Sequence, residues 1–210
     1  MPMNTNIILK RPVHVSHEAR QEKEAVRRLL TFERFCRDNN LWDEMRTCYT
    51  QDSYIESSWF KGNGMEFIDR LSQRQGRAPH HIHSILVWTH GNRSVSIMET
   101  TMQIQDTING VPVMLEADCQ LLYRLVRING EWNVQEWRTI YEQDHIQPAY
   151  PAEAVHMDPA EMAQFRPACQ CLAYLQKRAG INIYQDLPGH DRPETIERLY
   201  EEADTWLQHG

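Results

Sequence analysis

Residues 94–144 read SVSIMETTMQIQDTINGVPVMLEADCQLLYRLVRINGEWNVQEWRTIYEQD. Asn109-Gly110 and Asn129-Gly130 each stand between runs of strand-forming residues. Asn-Gly suits a two-residue type I′ turn, whose central residues both take positive φ, so each pair predicts a hairpin. Three long antiparallel strands are expected: 94–108, 111–128 and 131–144. Two-residue loops without bulges set the register, with Ile108 opposite Val111 and Ile128 opposite Glu131. One face then carries Met98, Leu121 and Arg138 in one row and Thr100, Cys119 and Ile140 in the next. Met102, Ala117, Leu125, Trp132 and Val134 point the same way. The opposite face receives Glu99, Asp118, Gln120, Arg124 and Gln135, together with Ile97, Leu122 and Trp137. The first face is the more apolar and is expected to look inward. Arg138 is out of place there, and to a lesser degree so are Glu136 and Tyr123.

Upstream, residues 1–15 read as an irregular arm. Ser16 can cap a helix, with Glu18 in the first turn. Val26, Leu29, Leu30, Phe32, Phe35 and Cys36 recur at helical spacing up to Asn39-Asn40. A short helix follows over about 41–49, then a strand over 53–60, a turn at Lys61-Gly-Asn-Gly64 and a third helix over 65–73. Residues 80–89 read as a further strand. Downstream, the character changes after Pro148. Asp158-Pro159 starts a helix, Pro167 interrupts and restarts it, and Gly180 ends it. Ile196, Leu199, Tyr200, Ala203, Trp206 and Leu207 form an apolar stripe over 193–208 that must dock on something. The expected organisation is an α+β domain over 1–150, with its arm, and a helical extension over 151–210.

The 210 residues carry a formal net charge of −7, which argues against nucleic acid or an anionic membrane as the main partner. No apolar run is long enough to span a bilayer, and MPMNTNIILKRPVHVS lacks a signal-peptide core. Five cysteines without framework spacing read as reduced thiols in a cytoplasm, and Cys169-x-Cys171 as core.

His80-His81-Ile82-His83 places a histidine on each face of its strand. His81 and His83 share a face, the geometry of a chelating pair, but no third ligand follows at matching spacing and no metal is expected. Asp38 reads on its own as a helix-end aspartate in water, or as an acid at the edge of the apolar face. A guanidinium keeps its charge, so an inward Arg138 needs either a carboxylate partner, such as Glu136 or a first-helix acid, or a substrate oxygen. Tyr54 and Trp59 either line a cavity or only pack.

The order of helix, helix, strand, helix and long antiparallel strands resembles the nuclear-transport-factor-2-like superfamily. Within it, residues 17–150 look most like the SnoaL-like branch, which includes scytalone dehydratase and bile-acid dehydratase. The likeness rests on Cys36-Arg-Asp38-Asn-Asn-Leu-Trp42-Asp43-Glu44, on the histidine cluster at 80–83, and on Gly130-Glu-Trp132-Asn-Val134 followed by Arg138 and Tyr141-Glu142-Gln-Asp144. It implies a cone-shaped sheet wrapped around the first helix, enclosing an apolar cavity. It also implies a dyad in which Asp38 orients His80 as a base, with His83 as the substitute, and a substrate held by Tyr54, Trp59, Arg138 or Glu33. Many relatives carry a carbonyl-activating tyrosine in the first helix; the matching turn here holds Glu33, beside Phe32 and Phe35. The Tyr-x-Asp-Arg pattern of the penultimate strand is altered to Leu121-Leu122-Tyr123-Arg124.

The resemblance thus implies a cofactor-free lyase or isomerase, dehydrating or moving a double bond in a small, hydrophobic, cyclic and oxygenated molecule. The alternative is a non-catalytic binding or assembly subunit, like the small subunits of ring-hydroxylating dioxygenases. A homo-oligomer is expected, with the C-terminal stripe or the outer sheet face, bearing Ile97, Leu122 and Trp137, against a neighbouring subunit.

Overall fold

The computed structural model describes residues 3–13, 15–74, 77–151 and 154–209. Helix α1 (His17–Asp38) begins where Ser16 Oγ accepts the N–H of Ala19 at 3.2 Å. Helix α2 (Trp42–Thr47) follows, then strand β1 (Tyr49–Ser57), strand β2 (Phe60–Asn63) and helix α3 (Gly64–Ser72). Strands β3 (His80–His90), β4 (Arg93–Ile108), β5 (Val111–Ile128) and β6 (Glu131–Pro148) complete a curved, open six-stranded sheet in the order β2-β1-β6-β5-β4-β3. Strand β1 runs parallel to β6, and every other neighbouring pair is antiparallel. The stretch expected as one strand over 53–60 plus a turn is instead a hairpin, with β1 opening at Tyr49 and turning at Ser58-Trp59.

Both Asn-Gly turns form as expected, with φ of 51° and 87° at Asn109-Gly110 and 52° and 89° at Asn129-Gly130. Their registers hold near the turns, where Ile108 faces Val111 and Ile128 faces Glu131. The β5–β6 register then shifts between Arg124 and Leu125, leaving Gln135 as an extra residue on β6. One extra residue turns the side chains that follow to the other face, until a second shift between Asp118 and Cys119, with Glu142 as the extra residue, restores the phase. Arg138 now faces Leu122, Trp137 faces Tyr123, Thr139 faces Leu121 and Tyr141 faces Cys119. Trp137 and Tyr141 therefore join the inner core with Met98, Cys119, Leu121 and the expected Tyr123, while Ile140 joins an outer cluster. The expected inward Arg138 and outward Trp137 are both corrected by this bulge.

The concave side of the sheet holds α1 through Val26, Leu30 and Cys36. The helix is rotated relative to its expected apolar face. Phe32 and Phe35 are exposed, whereas Glu33 and Arg34 are buried.

The C-terminal segment begins with helix α4 (Pro159–Met162), capped by Asp158, whose Oδ1 accepts the N–H of Ala160. A 3-10 turn at Pro167–Cys169 leads into helix α5 (Gln170–Arg178), and helix α6 (Pro193–Gln208) ends the chain. Helix α5 packs Leu172, Ala173, Tyr174 and Leu175 into the inner core. Helix α6 lays Ile196, Leu199, Tyr200, Ala203 and Leu207 on the sheet's outer face, against Val95, Ile97, Leu122 and Ile140. The apolar stripe thus finds its partner within the chain, not on the neighbouring subunit expected for it. All five cysteines are buried, Cys169 and Cys171 among them. Among the described residues, no helix is long and apolar enough to cross a membrane.

Candidate active site

The C-terminal end of α1 and the first residue of β3 meet at the edge of the inner core. His80 N–H donates to Asp38 Oδ2 at 2.8 Å, and His80 Nδ1 lies 3.0 Å from Asp38 Oδ1. Arg37 Nη1 donates to Asp38 Oδ1 at 2.9 Å and to the carbonyl of Ala78 at 2.8 Å. Those two bonds use both hydrogens of Nη1, so its 3.1 Å approach to His80 Nδ1 leaves no proton to give. Nδ1 must then carry its own hydrogen and donate it to Asp38. This leaves His80 Nε2 as a bare acceptor, with no hydrogen bond among the described residues.

The electrostatics agree with that tautomer. Burial resists the Asp38 charge, but hydrogen bonds from His80 and the Arg37 guanidinium outweigh it and hold the carboxyl down at about 2. Burial, then Arg37, outweigh Asp38 and bring the imidazole down to about 3. At neutral pH the pair is therefore a carboxylate and a neutral imidazole.

His80 and Asp38 line a cavity of about 350 Å3 between the helices and the concave sheet face. Its walls are aromatic, with Trp42, Trp59, Phe67, Trp137 and Tyr141 among them. Trp59 stacks on Phe67 at 5.3 Å, and Phe67 meets Trp137 edge-on at 5.4 Å. Tyr141 Oη accepts the backbone N–H of Ser58 at 2.9 Å, and its own O–H has no acceptor among the described residues. Burial pushes that hydroxyl well above its usual range, so it stays protonated. The C-terminal segment closes one side of the cavity with Leu175, Gln176, Ala179 and Ile181, and Gln176 Nε2 donates to Ser58 Oγ at 2.9 Å.

Of the residues singled out in the sequence, the structure brings His80, Asp38 and Trp59 to this cavity. His83 is elsewhere: it is the extra residue of a bulge in β3, exposed, with Nε2 at 2.7 Å from Thr101 Oγ1. His81 faces Gln103 on the same exposed side. Tyr54 is 37% exposed and outside the cavity. Arg138 lies on the outer face in an acidic cluster, 2.6 Å from Glu136 and 3.4 Å from Glu56, so its ion-pair reading is the observed one. Glu33 does not line the cavity but is fully buried behind Arg34, whose Nε and Nη2 donate to its two oxygens at 2.7 and 2.6 Å. Tyr49 also donates to Glu33 at 2.6 Å, and Tyr123 at 3.3 Å.

Sequence reasoning passed over Arg34, Arg37, Tyr141 and the wall from α5. Arg34 and Arg37 carried a signal: they continue the helical stripe of Val26 and Leu30, at four and seven positions beyond Leu30. Tyr141 was hidden by the bulge.

Fold and site together define an α+β cavity protein with a histidine–aspartate dyad against an aromatic wall. The chain belongs to the SnoaL-like family, whose domain model matches residues 18–138. It is 26% identical to pea pathogenicity protein 2 of the fungus Fusarium vanettenii over 185 residues, which cover 82% of this chain and 79% of that protein. Among solved structures, a scytalone dehydratase-like protein of Novosphingobium aromaticivorans superposes with a TM-score of 0.51 at 14% identity, covering 65% of this chain and 96% of the other. A hexachlorocyclohexane dehydrochlorinase superposes with a TM-score of 0.52 at 10% identity, covering 66% and 95%. At these identities the two structures establish a shared fold.

Proposed function

We propose that the chain is a cofactor-independent lyase or isomerase acting on a small, hydrophobic, cyclic and oxygenated molecule. The observation that carries the reading is the Asp38–His80 pair, oriented with Nε2 bare, on the wall of an aromatic cavity. A neutral imidazole with a free acceptor nitrogen is the protonation state that proton abstraction next to a carbonyl requires. In a dehydration, Nε2 takes the proton α to the carbonyl, the C–H pair forms the double bond, and the β-hydroxyl leaves. The imidazolium then returns the proton to that hydroxyl, so that water departs and His80 is neutral again. In an isomerisation the same proton returns to a different carbon. Asp38 supports both by holding the ring and offsetting the transient positive charge. The Tyr141 O–H is suited to hold the carbonyl oxygen, the task a first-helix tyrosine serves in many relatives. The names of the neighbouring folds, a scytalone dehydratase-like protein and a dehydrochlorinase, belong to eliminations and agree with this chemistry.

The test is proton exchange in deuterated water with a panel of cyclic ketones and β-hydroxyketones, followed by NMR. Deuterium is expected α to the carbonyl, with or without loss of water, and the rate should fall by a factor on the order of 100 in His80→Ala. A folded His80→Ala protein that keeps the wild-type rate removes the dyad from the reaction. Saturable binding of the panel without any exchange would make the chain a binding subunit instead.

A further inference from the structure

The cavity is basic although the chain is acidic. Four arginines line it, Arg34, Arg37, Arg74 and Arg77, against two aspartates, Asp38 and Asp106, while the whole sequence carries a formal charge of −7. Asp38 is already occupied by Arg37 and His80. Arg74 and Arg77 are exposed at the rim, and neither has a carboxylate partner among the described residues; Arg74 rests over the Trp59 ring at 4.2 Å. Arg34 lies deeper, with its side chain 3% exposed. Its Nε and Nη2 are spent on Glu33, and its Nη1 makes no hydrogen bond among the described residues. Arg34 nevertheless forms part of the cavity wall, and its Nη1 is not among the fully buried, unpartnered atoms, as Nε and Nη2 of Arg124 are. A buried guanidinium with one unspent corner is costly to keep, and a corner opening on a cavity invites an oxyanion there.

We infer that the cavity takes an organic anion, an aromatic or polycyclic carboxylate, and that Arg34 is the residue that reads its charge. The inference rests on the substrate cavity of the proposed reaction and adds the substrate's class. The division of labour follows from the walls. Trp59, Phe67 and Trp137 take the ring system, Arg74 and Arg77 draw the anion to the rim, and Arg34 receives the carboxylate inside. Glu33, with Tyr49 behind it, fixes the guanidinium plane, which makes Glu33 a positioning residue. A bound anion has a second effect. After burial and Arg37, the Arg34 charge is among the causes that depress His80, so a carboxylate on Arg34 would lift His80 toward the range in which a base works.

The experiment measures equilibrium binding of 2-naphthoate and of its neutral isostere 2-naphthamide by tryptophan fluorescence, with no turnover involved. Failure of the catalytic reading therefore leaves this result standing, and the reverse. The wild-type chain should bind the naphthoate at least about tenfold more tightly, the size of one charge-assisted contact. The double variant Glu33→Gln/Arg34→Met removes a buried pair without changing net charge. It should bring the two affinities to within about twofold and leave the amide's affinity unchanged. The pair Arg74→Gln/Arg77→Gln should slow association but keep the preference. A measurement on the unaltered protein stands beside these: naphthoate, but not naphthamide, should raise the NMR titration midpoint of His80. Equal affinities in the wild type, no naphthoate binding at millimolar concentration, an unmoved His80 midpoint, or loss of the preference in the rim variant alone would each overturn the assignment to Arg34.

Discussion

Asp204, near the end of the last helix, accepts the backbone N–H of Ile8 at 2.7 Å and so ties the start of the chain to its end. The same carboxylate also accepts the N–H groups of Asn6 and Ile7, both at 2.8 Å. Burial opposes the charge, but the three N–H groups outweigh it and draw the carboxyl below its usual range. Ile8 is thereby held in the outer cluster beneath α6. Replacing Asp204 by Ala leaves buried donors unpaired and should cost about 1–3 kcal/mol. Denaturant unfolding would check it, with Thr205→Ala as the exposed control.

Leu207 is fully buried where α6 meets the outer sheet face. Leu207→Ala should destabilise the whole domain by about 2–5 kcal/mol, lost transfer energy plus a cavity. Equilibrium unfolding with one transition, followed by both tryptophan fluorescence and circular dichroism, is the expected form. A variant of wild-type stability would mean that α6 is peripheral to the core.

The extra residue Gln135 decides which face of β6 lines the cavity. Deleting it should turn Trp137, Thr139 and Tyr141 outward and drive Arg138 inward, and the chain should fail to fold. Gln135→Ala keeps the count and should stay within about 0.5 kcal/mol of wild type. Expression and thermal melting of the two variants distinguish count from side chain.

The hydrogen count around Arg37 specifies the tautomer of His80. At pH 7, 15N NMR should find Nδ1 protonated and Nε2 bare. Asp38→Asn, which removes the carboxylate that accepts that proton, should populate the other tautomer. A wild-type ring protonated at Nε2 would withdraw His80 as a base.

Acid should weaken the fold through the same pair. His80 titrates at about 3 in the folded chain against 6.5 unfolded, so between these pH values the unfolded chain binds the extra proton and stability falls as pH falls. Its contribution is complete above 6.5. Asp38, held at about 2 against 3.8, adds a further loss only below about pH 4. Between pH 6 and 4.5, His80→Gln should flatten the dependence of unfolding free energy on pH by up to about 1.4 kcal/mol per unit. Urea titrations across that range would show it, and parallel slopes would contradict it.

Local signals in the sequence were enough for most of the elements and for the two Asn-Gly hairpins, but not for the β1–β2 hairpin, which turns at Ser58-Trp59 without such a signal. Asn-Gly takes positive φ at low cost, Ser16 and Asp158 cap the helices that follow them, and apolar spacing marks α1 and α6. The Asp38–His80 pair came from family likeness, because nothing in a helix-end aspartate alone says what it faces. Tertiary structure decided the rest. A single unpaired residue inverted the middle of β6, residues 136–141, and no local pattern marks a bulge whose two possible faces are both part apolar. The phase of α1 also went against the hydrophobic count, since Phe32 and Phe35 stay exposed while Glu33 and Arg34 go inside. That choice is possible only because Tyr49 and Tyr123, distant in sequence, satisfy the buried carboxylate, and because the cavity leaves room beside the guanidinium. Where the stripe of α6 would dock was open for the same reason: its apolar spacing requires a partner, but only the three-dimensional closeness of Ile97, Leu122 and Ile140 makes that partner the chain's own sheet.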